Sequence, residues 1–232
     1  MKISFVIPSF NSSAWLAQSI GSCLEQTHKD CEIVVVDDCS TDSTQDYMAW
    51  QTKADSRVIS IRNEKNLGRS ASRNIGNKAA TGDVLCVLDA DDLALPGRAK
   101  IVAEKFSKGC EYLYGSAVRI DACGRNLGEI RADVFNKDKM LELLSSHIVH
   151  STVSYRKWFA EKYPYLEGDA ARLGVDDITQ QMRAVMDGVK FDFVPNVLSA
   201  YRILEQGITA QRDNNEVIKF KKEFAEGLRA TV

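Results

Sequence analysis

The sequence predicts an α/β protein: a mostly parallel β-sheet flanked by helices, followed by a less regular second half. Short apolar runs alternate with segments of helical periodicity through residues 1–118. One run, Ile33-Val34-Val35-Val36, is β-branched throughout, as buried strands of parallel sheets are. Several runs end on a polar or acidic loop. Strand–helix alternation of this kind implies parallel strands with helices on both faces.

Residues 2–7 read as the first strand, stopped by Pro8. Asn11 or Ser12 is placed to cap a helix over 13–26, and Leu16, Ile20 and Leu24 give that helix one apolar stripe. The run 33–36 is the second strand. Thr41 to Thr44 opens a helix reaching Lys53, and Val58 to Ile61 forms the third strand. A helix over 69–80 is expected to end at Gly82, where a left-handed stop is cheap. Val84 to Leu88 is the fourth strand. Pro96 suits the first turn of a helix reaching Ser107, and Tyr112 to Val118 is the fifth strand. Beyond it, helices are expected near 136–146, 156–162 and 176–187, and strands near 152–155, 191–194 and 197–202. In the tail, Val217, Phe220, Phe224 and Leu228 share one face of a helix over 214–229, which reads as docked on the body of the protein.

The 232 residues are 44% hydrophobic, enough for a sizeable core. With 30 basic against 32 acidic residues the net charge is -2, which gives no electrostatic case for nucleic acid as a partner. The opening apolar run is too short for a signal peptide or a span, and no later stretch reaches span length, so a cytoplasmic location is expected. Of the six cysteines none forms a C-x-x-C pair, which argues against zinc, and Cys86 reads as a core residue.

In such sheets ligands bind at the carboxyl ends of the strands. Those ends carry Pro8-Ser9-Phe10-Asn11, Asp37-Asp38 and Asp89-Ala90-Asp91-Asp92. Crowded carboxylates repel, and a divalent cation offsets that charge; oxygen-only ligands suit Mg2+ or Mn2+, which also bridge diphosphates. Taken alone, the turn reads equally as a metal site or as an acidic helix cap. Asp37 reads better as an Asx-turn acceptor and Asp38 as a ribose or base contact. In Asp176-Asp177 the first acid better suits the positive end of a helix dipole.

These loops, in order with Asn66-Leu67-Gly68-Arg69-Ser70-Ala71-Ser72-Arg73-Asn74, resemble glycosyltransferase family 2, inverting enzymes of GT-A fold. The likeness continues more loosely through His150-Ser151-Thr152-Val153 and Val175-Asp176-Asp177 to Tyr201-Arg202. It implies a nucleotide-sugar-binding half over 1–118, an acceptor and catalytic-base half over 119–212, and a C-terminal helix over 213–232. It also implies transfer of a sugar from a nucleotide-diphosphate donor, a UDP-sugar being favoured, to a hydroxyl of a glycan or lipid-linked acceptor. By the same resemblance Pro8, Phe10, Asn11, Asp38, Arg73 and Asp89 line the nucleotide site, and Asp91 is the main ligand of Mn2+ or Mg2+. Asp177 is the catalytic base, and Asp92, His150, Asp176 and Arg202 lie near sugar or acceptor. Arg183 is expected to hold an acid or to pack structurally. Arg73 and His150 each keep a structural alternative, a surface arginine and a core histidine. Relatives often carry a histidine where this chain has Leu204, so weak metal affinity without donor is expected. Peripheral membrane attachment and oligomeric state stay open.

The rival readings are a sugar nucleotidyltransferase and a non-catalytic nucleotide-sugar-binding module. The segment after Ile7 lacks the glycine-rich basic loop of the first, and the intact acid set Asp38, Asp89, Asp91 and Asp177 argues against the second. No G-x-G-x-x-G follows the first strand, which disfavours a dehydrogenase.

Overall fold

The structure, a computed structural model, describes residues 1–143, 148–204 and 213–230. The chain runs β1 (Ile3–Ser9), α1 (Leu16–Leu24), β2 (Cys31–Asp37), α2 (Thr44–Ala54), β3 (Val58–Arg62), α3 (Arg69–Ala79), β4 (Val84–Val87) and β5 (Leu93–Ala94). It continues through α4 (Arg98–Phe106), β6 (Tyr112–Ile120), β7 (Asn126–Ile130), α5 (Lys137–Leu143), a 3-10 turn (His150–Thr152) and β8 (Ser154–Arg156). Then follow α6 (Lys157–Lys162), α7 (Asp169–Arg172), α8 (Asp176–Met186), β9 (Phe191–Arg202) and a tail helix, α9 (Asn214–Ala230).

One sheet of order β3-β2-β1-β4-β8-β6-β9-β5, with β7 on β6, runs through both halves. β3, β2, β1 and β4 are mutually parallel, and so are β6 and β9. β8 is antiparallel to both β4 and β6, so those two point the same way. The carboxyl ends of β1, β2, β3, β4, β6 and β9 therefore share one rim. This is the mostly parallel, helix-flanked arrangement that the sequence implies.

Alternation along the strands covers both faces. Phe5, Ile7, Ile33 and Val35 pack with Leu16 and Ile20 of α1 and Val102 and Phe106 of α4. Val6, Val34, Leu85 and Val87 pack on the other face with Tyr155 and with Phe159 of α6. A third cluster joins Ile178, Met182 and Val185 of α8 to Val217 and Ala225 of α9, with Phe220, Phe224 and Leu228 partly buried beside them. Among the described residues no helix is long and apolar enough to cross a membrane.

Several sequence expectations need correction. α1 starts at Leu16 and not near residue 13, and neither expected cap acts: the Asn11 side chain accepts from the Thr41 amide (2.8 Å) and the Ser12 hydroxyl donates to the Phe10 carbonyl (3.1 Å). Gly82 is not a left-handed stop. Its φ is not positive, α3 ends before it, and a Cβ there would lie 2.5 Å from Ser4 Oγ and 2.9 Å from the Lys2 carbonyl oxygen. Close backbone approach requires the glycine. α4 begins two residues after Pro96. The two strands expected over 191–202 are one, β9, whose register against β6 slips near Pro195, where no backbone N–H is available to the ladder. The helix expected over 136–146 is described as 137–143, and 144–147 lie outside the described residues.

Candidate functional site

The site grows from loops on that rim. Phe10 is 48% exposed at the end of β1, beside half-buried Pro8. Asn11 and Cys39 both adopt left-handed backbone (φ 48° and 64°), a conformation that costs a non-glycine residue and recurs at functional loops. The Asn11 amide donates to Ser40 Oγ (2.9 Å), tying the β1–α1 loop to the β2–α2 loop. Asp37 makes the expected Asx-type contact, accepting from the Ser40 amide at 3.0 Å, and also receives Arg62.

Asp38 is buried, and its carboxylate is heavily used. Oδ1 accepts from the Leu67 amide and from Asn63 Nδ2 (both 2.8 Å), and Oδ2 accepts from the Gly68 amide (2.7 Å). The acid thus pins the entrance of α3, where Gly68 has φ 88°, a backbone only glycine takes without strain.

α3 carries the basic side of the site. Arg73 is 3% exposed and forks between two acids, Nη2 to Asp89 Oδ1 (2.6 Å) and Nη1 to Asp176 Oδ2 (2.8 Å). Its guanidinium lies over the Tyr165 ring, 5.3 Å from the centroid. Arg69 Nη2 reaches Asp176 Oδ1 (2.5 Å), and Ser70 Oγ donates to Asp176 Oδ2 (3.0 Å). Burial alone would raise the Asp176 carboxyl; Arg73 and Arg69 outweigh it and hold the group below the usual carboxylate range. Asp89, too, is pulled down against burial by Arg73. Arg73 is therefore no surface arginine.

The other acids of the turn behave differently. Asp91 receives no basic side chain within ion-pair distance among the described residues; burial first, and Asp89 second, push its carboxyl up to about 6. Asp92 is 1% exposed, and burial pushes its carboxyl well up. Both its oxygens are engaged, by the Ser151 hydroxyl and by the Arg202 amide (2.8 Å). The Arg202 guanidinium is spent on protein as well: Nε to the Asp91 carbonyl (2.7 Å), Nη1 to the Asp121 and Ala122 carbonyls (3.1 and 3.0 Å), Nη2 to Gln18 Oε1 (2.9 Å). Asp92 and Arg202 thus brace the acidic turn from behind.

Asp177, the second residue of α8, is half-buried; its carboxylate accepts from the Ile178 amide (2.8 Å), and no ion pair to it is found among the described residues. His150 Nε2 contacts the Tyr165 hydroxyl (2.9 Å), and its Nδ1 is buried without a partner. Burial, reinforced by Arg73, lowers the imidazole to about 4, so it is neutral at pH 7. Among the described residues Arg183 pairs with no acid: its guanidinium donates to the Pro164 and Thr179 carbonyls, the structural alternative, and Arg69 and Arg73 attend Asp176 instead.

Sequence reasoning missed two residues. Tyr165 links His150 to Tyr155 (3.1 Å between hydroxyls). Arg98, 1% exposed, donates to the Ser151, Val87 and Val153 carbonyls at 2.5, 2.8 and 3.0 Å, fastening the 3-10 turn to β4. Its signal was there: Arg98, Val102 and Phe106 lie four apart on the inward stripe of α4. An arginine on such a stripe must find acceptors inside.

Arg73→Met is expected to leave Asp176 buried with Arg69 as its remaining cation, a loss of about 3–5 kcal/mol. Asp176 has a depressed folded pKa, so its stabilisation is present above the unfolded value and lost as pH falls through the folded one. The deficit of Arg73→Met should be full at pH 7 and shrink below about pH 4, the ordinary aspartate range. Urea unfolding across pH 3–7 checks this; a deficit independent of pH would exclude the ion pair as its source.

Among the described residues no three His, Cys, Asp or Glu side chains converge on one point. A cation at the turn would rest on Asp91 and on the exposed edge of Asp89, with the rest of its shell from ligand and water. An anionic group without a basic partner, already raised by its neighbours, fits such a cation.

The chain also resembles known proteins. The sequence profile of glycosyl transferase family 2 matches residues 4–163. An uncharacterized glycosyltransferase of Methanocaldococcus jannaschii is 30% identical over 207 residues, covering 87% of this chain and 70% of that one. A putative teichuronic acid biosynthesis glycosyltransferase of Bacillus subtilis is 30% identical over 125 residues, 54% of this chain and 47% of that one. The crystal structure of S. aureus TarS 1–349 in complex with UDP-GlcNAc superposes with a TM-score of 0.77 at 19% identity, covering 98% of this chain and 66% of that one. The likeness extends the GT-A arrangement over nearly the whole chain, which spans between about half and 70% of these proteins.

Proposed function

The chain belongs to glycosyltransferase family 2, and from that premise we propose an inverting, metal-dependent enzyme that moves a sugar from a UDP-sugar to a hydroxyl of a glycan or lipid-linked acceptor. One observation carries the reading: Asp89 and Asp176 share an arginine, whereas Asp91 and Asp177 make no ion pair among the described residues. These two acids are the ones the chemistry needs uncompensated, one for a cation and one for a proton.

In this reading Asp91 would hold Mn2+ or Mg2+ with help from Asp89, and a bound ion would supply positive charge against that of the diphosphate leaving group. Pro8, Phe10 and Asn11 border the base, Asp38 orders the loop beside it and meets it, and Arg73 and Asp89 stand at the diphosphate and ribose. Asp177 accepts the proton of the acceptor hydroxyl as that oxygen attacks the anomeric carbon from the face opposite the nucleotide. A single displacement inverts the configuration. His150 stands near the sugar as a neutral ring held by the Tyr165 hydroxyl, and Asp92, Asp176 and Arg202 act through the elements they hold. Favour for UDP is supported by the UDP-GlcNAc carried by the S. aureus structure, and a polysaccharide acceptor by the name of the B. subtilis relative.

A thermal-shift screen of nucleotide sugars with and without Mn2+ tests this. Bound ligand stabilises by about 2.7 kcal/mol at a hundredfold excess over Kd. A shift that needs both metal and one uridine nucleotide is the expected result. Pyrophosphate release from a nucleoside triphosphate would point to a nucleotidyltransferase, and no response to any nucleotide would overturn the reading.

A further inference from the structure

We infer that Asp176 is a positioning residue: locked to Arg69, Ser70 and Arg73 of α3, it fixes the amino end of α8 and so aims Asp177 at the donor turn. The inference rests on the proposed role of Asp177 as base.

Asp176 is wholly buried, so it touches no acceptor, yet three side chains of one helix converge on its two oxygens at 2.5–3.0 Å. The partner helix is itself anchored at its start and along the sheet. Asp38 pins the two residues before it, and Gly76 sets it so close to the sheet that a Cβ would lie 2.5 Å from Val6 Cγ1. The same Arg73 that holds Asp176 also holds Asp89. One guanidinium therefore fixes the spacing between the donor turn and the start of α8. Among the described residues the Asp177 carboxylate receives one hydrogen bond, from the adjacent Ile178 amide, so its aim depends on where that helix begins. A displacement near 1 Å is enough to slow a reaction about a hundredfold.

The test is Asp176→Asn, which keeps the shape and loses the charge, assayed with the donor that the thermal screen selects. kcat is expected to fall about 10- to 100-fold while the donor KM stays within about threefold, because Arg73 keeps its bond to Asp89 and Asp176 itself is buried away from the donor. In an Asp177→Asn background the same change is expected to add almost nothing, since a residue that acts through another has no effect once the other is gone. Should Asp176→Asn fail to fold, Ser70→Ala carries the test: it removes one of the three bonds, and kcat should drop about fivefold at constant KM. A donor KM that rises in step with the loss of kcat would mean general damage to the site. Additive losses in the double variant would mean that Asp176 works independently of Asp177. Either result overturns the positioning role. A fully active Asp177→Asn enzyme overturns the base assignment itself, a distinct outcome.

Discussion

Asp91→Asn should melt higher than the parent protein in metal-free buffer at pH 7.5, and should gain nothing from a nucleotide sugar with Mn2+. The first half follows from charge crowding. Burial and Asp89 raise the folded pKa of Asp91 to about 6, above the unfolded value near 3.9. A raised folded value means that ionisation costs the native state stability as pH climbs through it. At pH 7.5 that cost is fully present; below about pH 4 both states are protonated and it is gone. Asparagine never ionises, so the variant should gain on the order of 1 kcal/mol, about 2–4 °C, with the gain fading in acid. The second half follows from the proposed ligation: even outer contacts of a metal site cost about 10- to 100-fold when removed, so if Asp91 is the main ligand its loss should cost at least that in metal-dependent donor affinity. Scanning fluorimetry over pH 4–8, with EDTA or with Mn2+ and nucleotide, measures both. A less stable apo variant would refute the crowding argument, and unchanged metal-dependent binding would refute the ligand.

Asp177→Asn should bind donor as the parent does, within about threefold, and turn over about 100- to 10,000-fold more slowly. The amide fills the same space at the amino end of α8 but takes no proton from the incoming hydroxyl. Asparagine is at home at helix starts, so stability should change little. Calorimetric titration of donor beside steady-state kcat separates binding from chemistry.

Most of the rim was legible in the sequence because it sits where simple rules are strong. β2 contains four successive β-branched residues and leads into acids, and β4 is an apolar run leading into acids; period and punctuation suffice to place Asp38 and Asp91 on the rim. What stayed hidden was pairing. Nothing local says that Arg73 forks between Asp89 and Asp176, or that Arg69 and not Arg183 attends the acid of α8, because those partners are more than a hundred residues apart in the case of Asp176. β5 and α7 were too short for a periodic signal, and β7, almost wholly exposed, has no buried face to write an alternation. Asp92 illustrates the remaining difficulty. The resemblance leaves Asp92 either supporting the metal-binding acids from behind or touching the sugar; neighbouring residues on a turn point in different directions, and Asp92 points inward to Ser151 and Arg202.

The strand order has a kinetic consequence. β8 is wedged between β4 and β6, and β9 lies between β6 and β5, and the bonds joining Arg73 to Asp176 and Asp92 to Arg202 close loops of 103 and 110 residues. Such long-range closures come late and slowly in folding, after local helices and hairpins have formed. A chain emerging from the ribosome can complete the β1–β4 layer with its acidic turn before α8 and β9 exist. Until they arrive, that turn is a cluster of like charges lacking Arg202, and the ability to do chemistry is the last property the chain acquires.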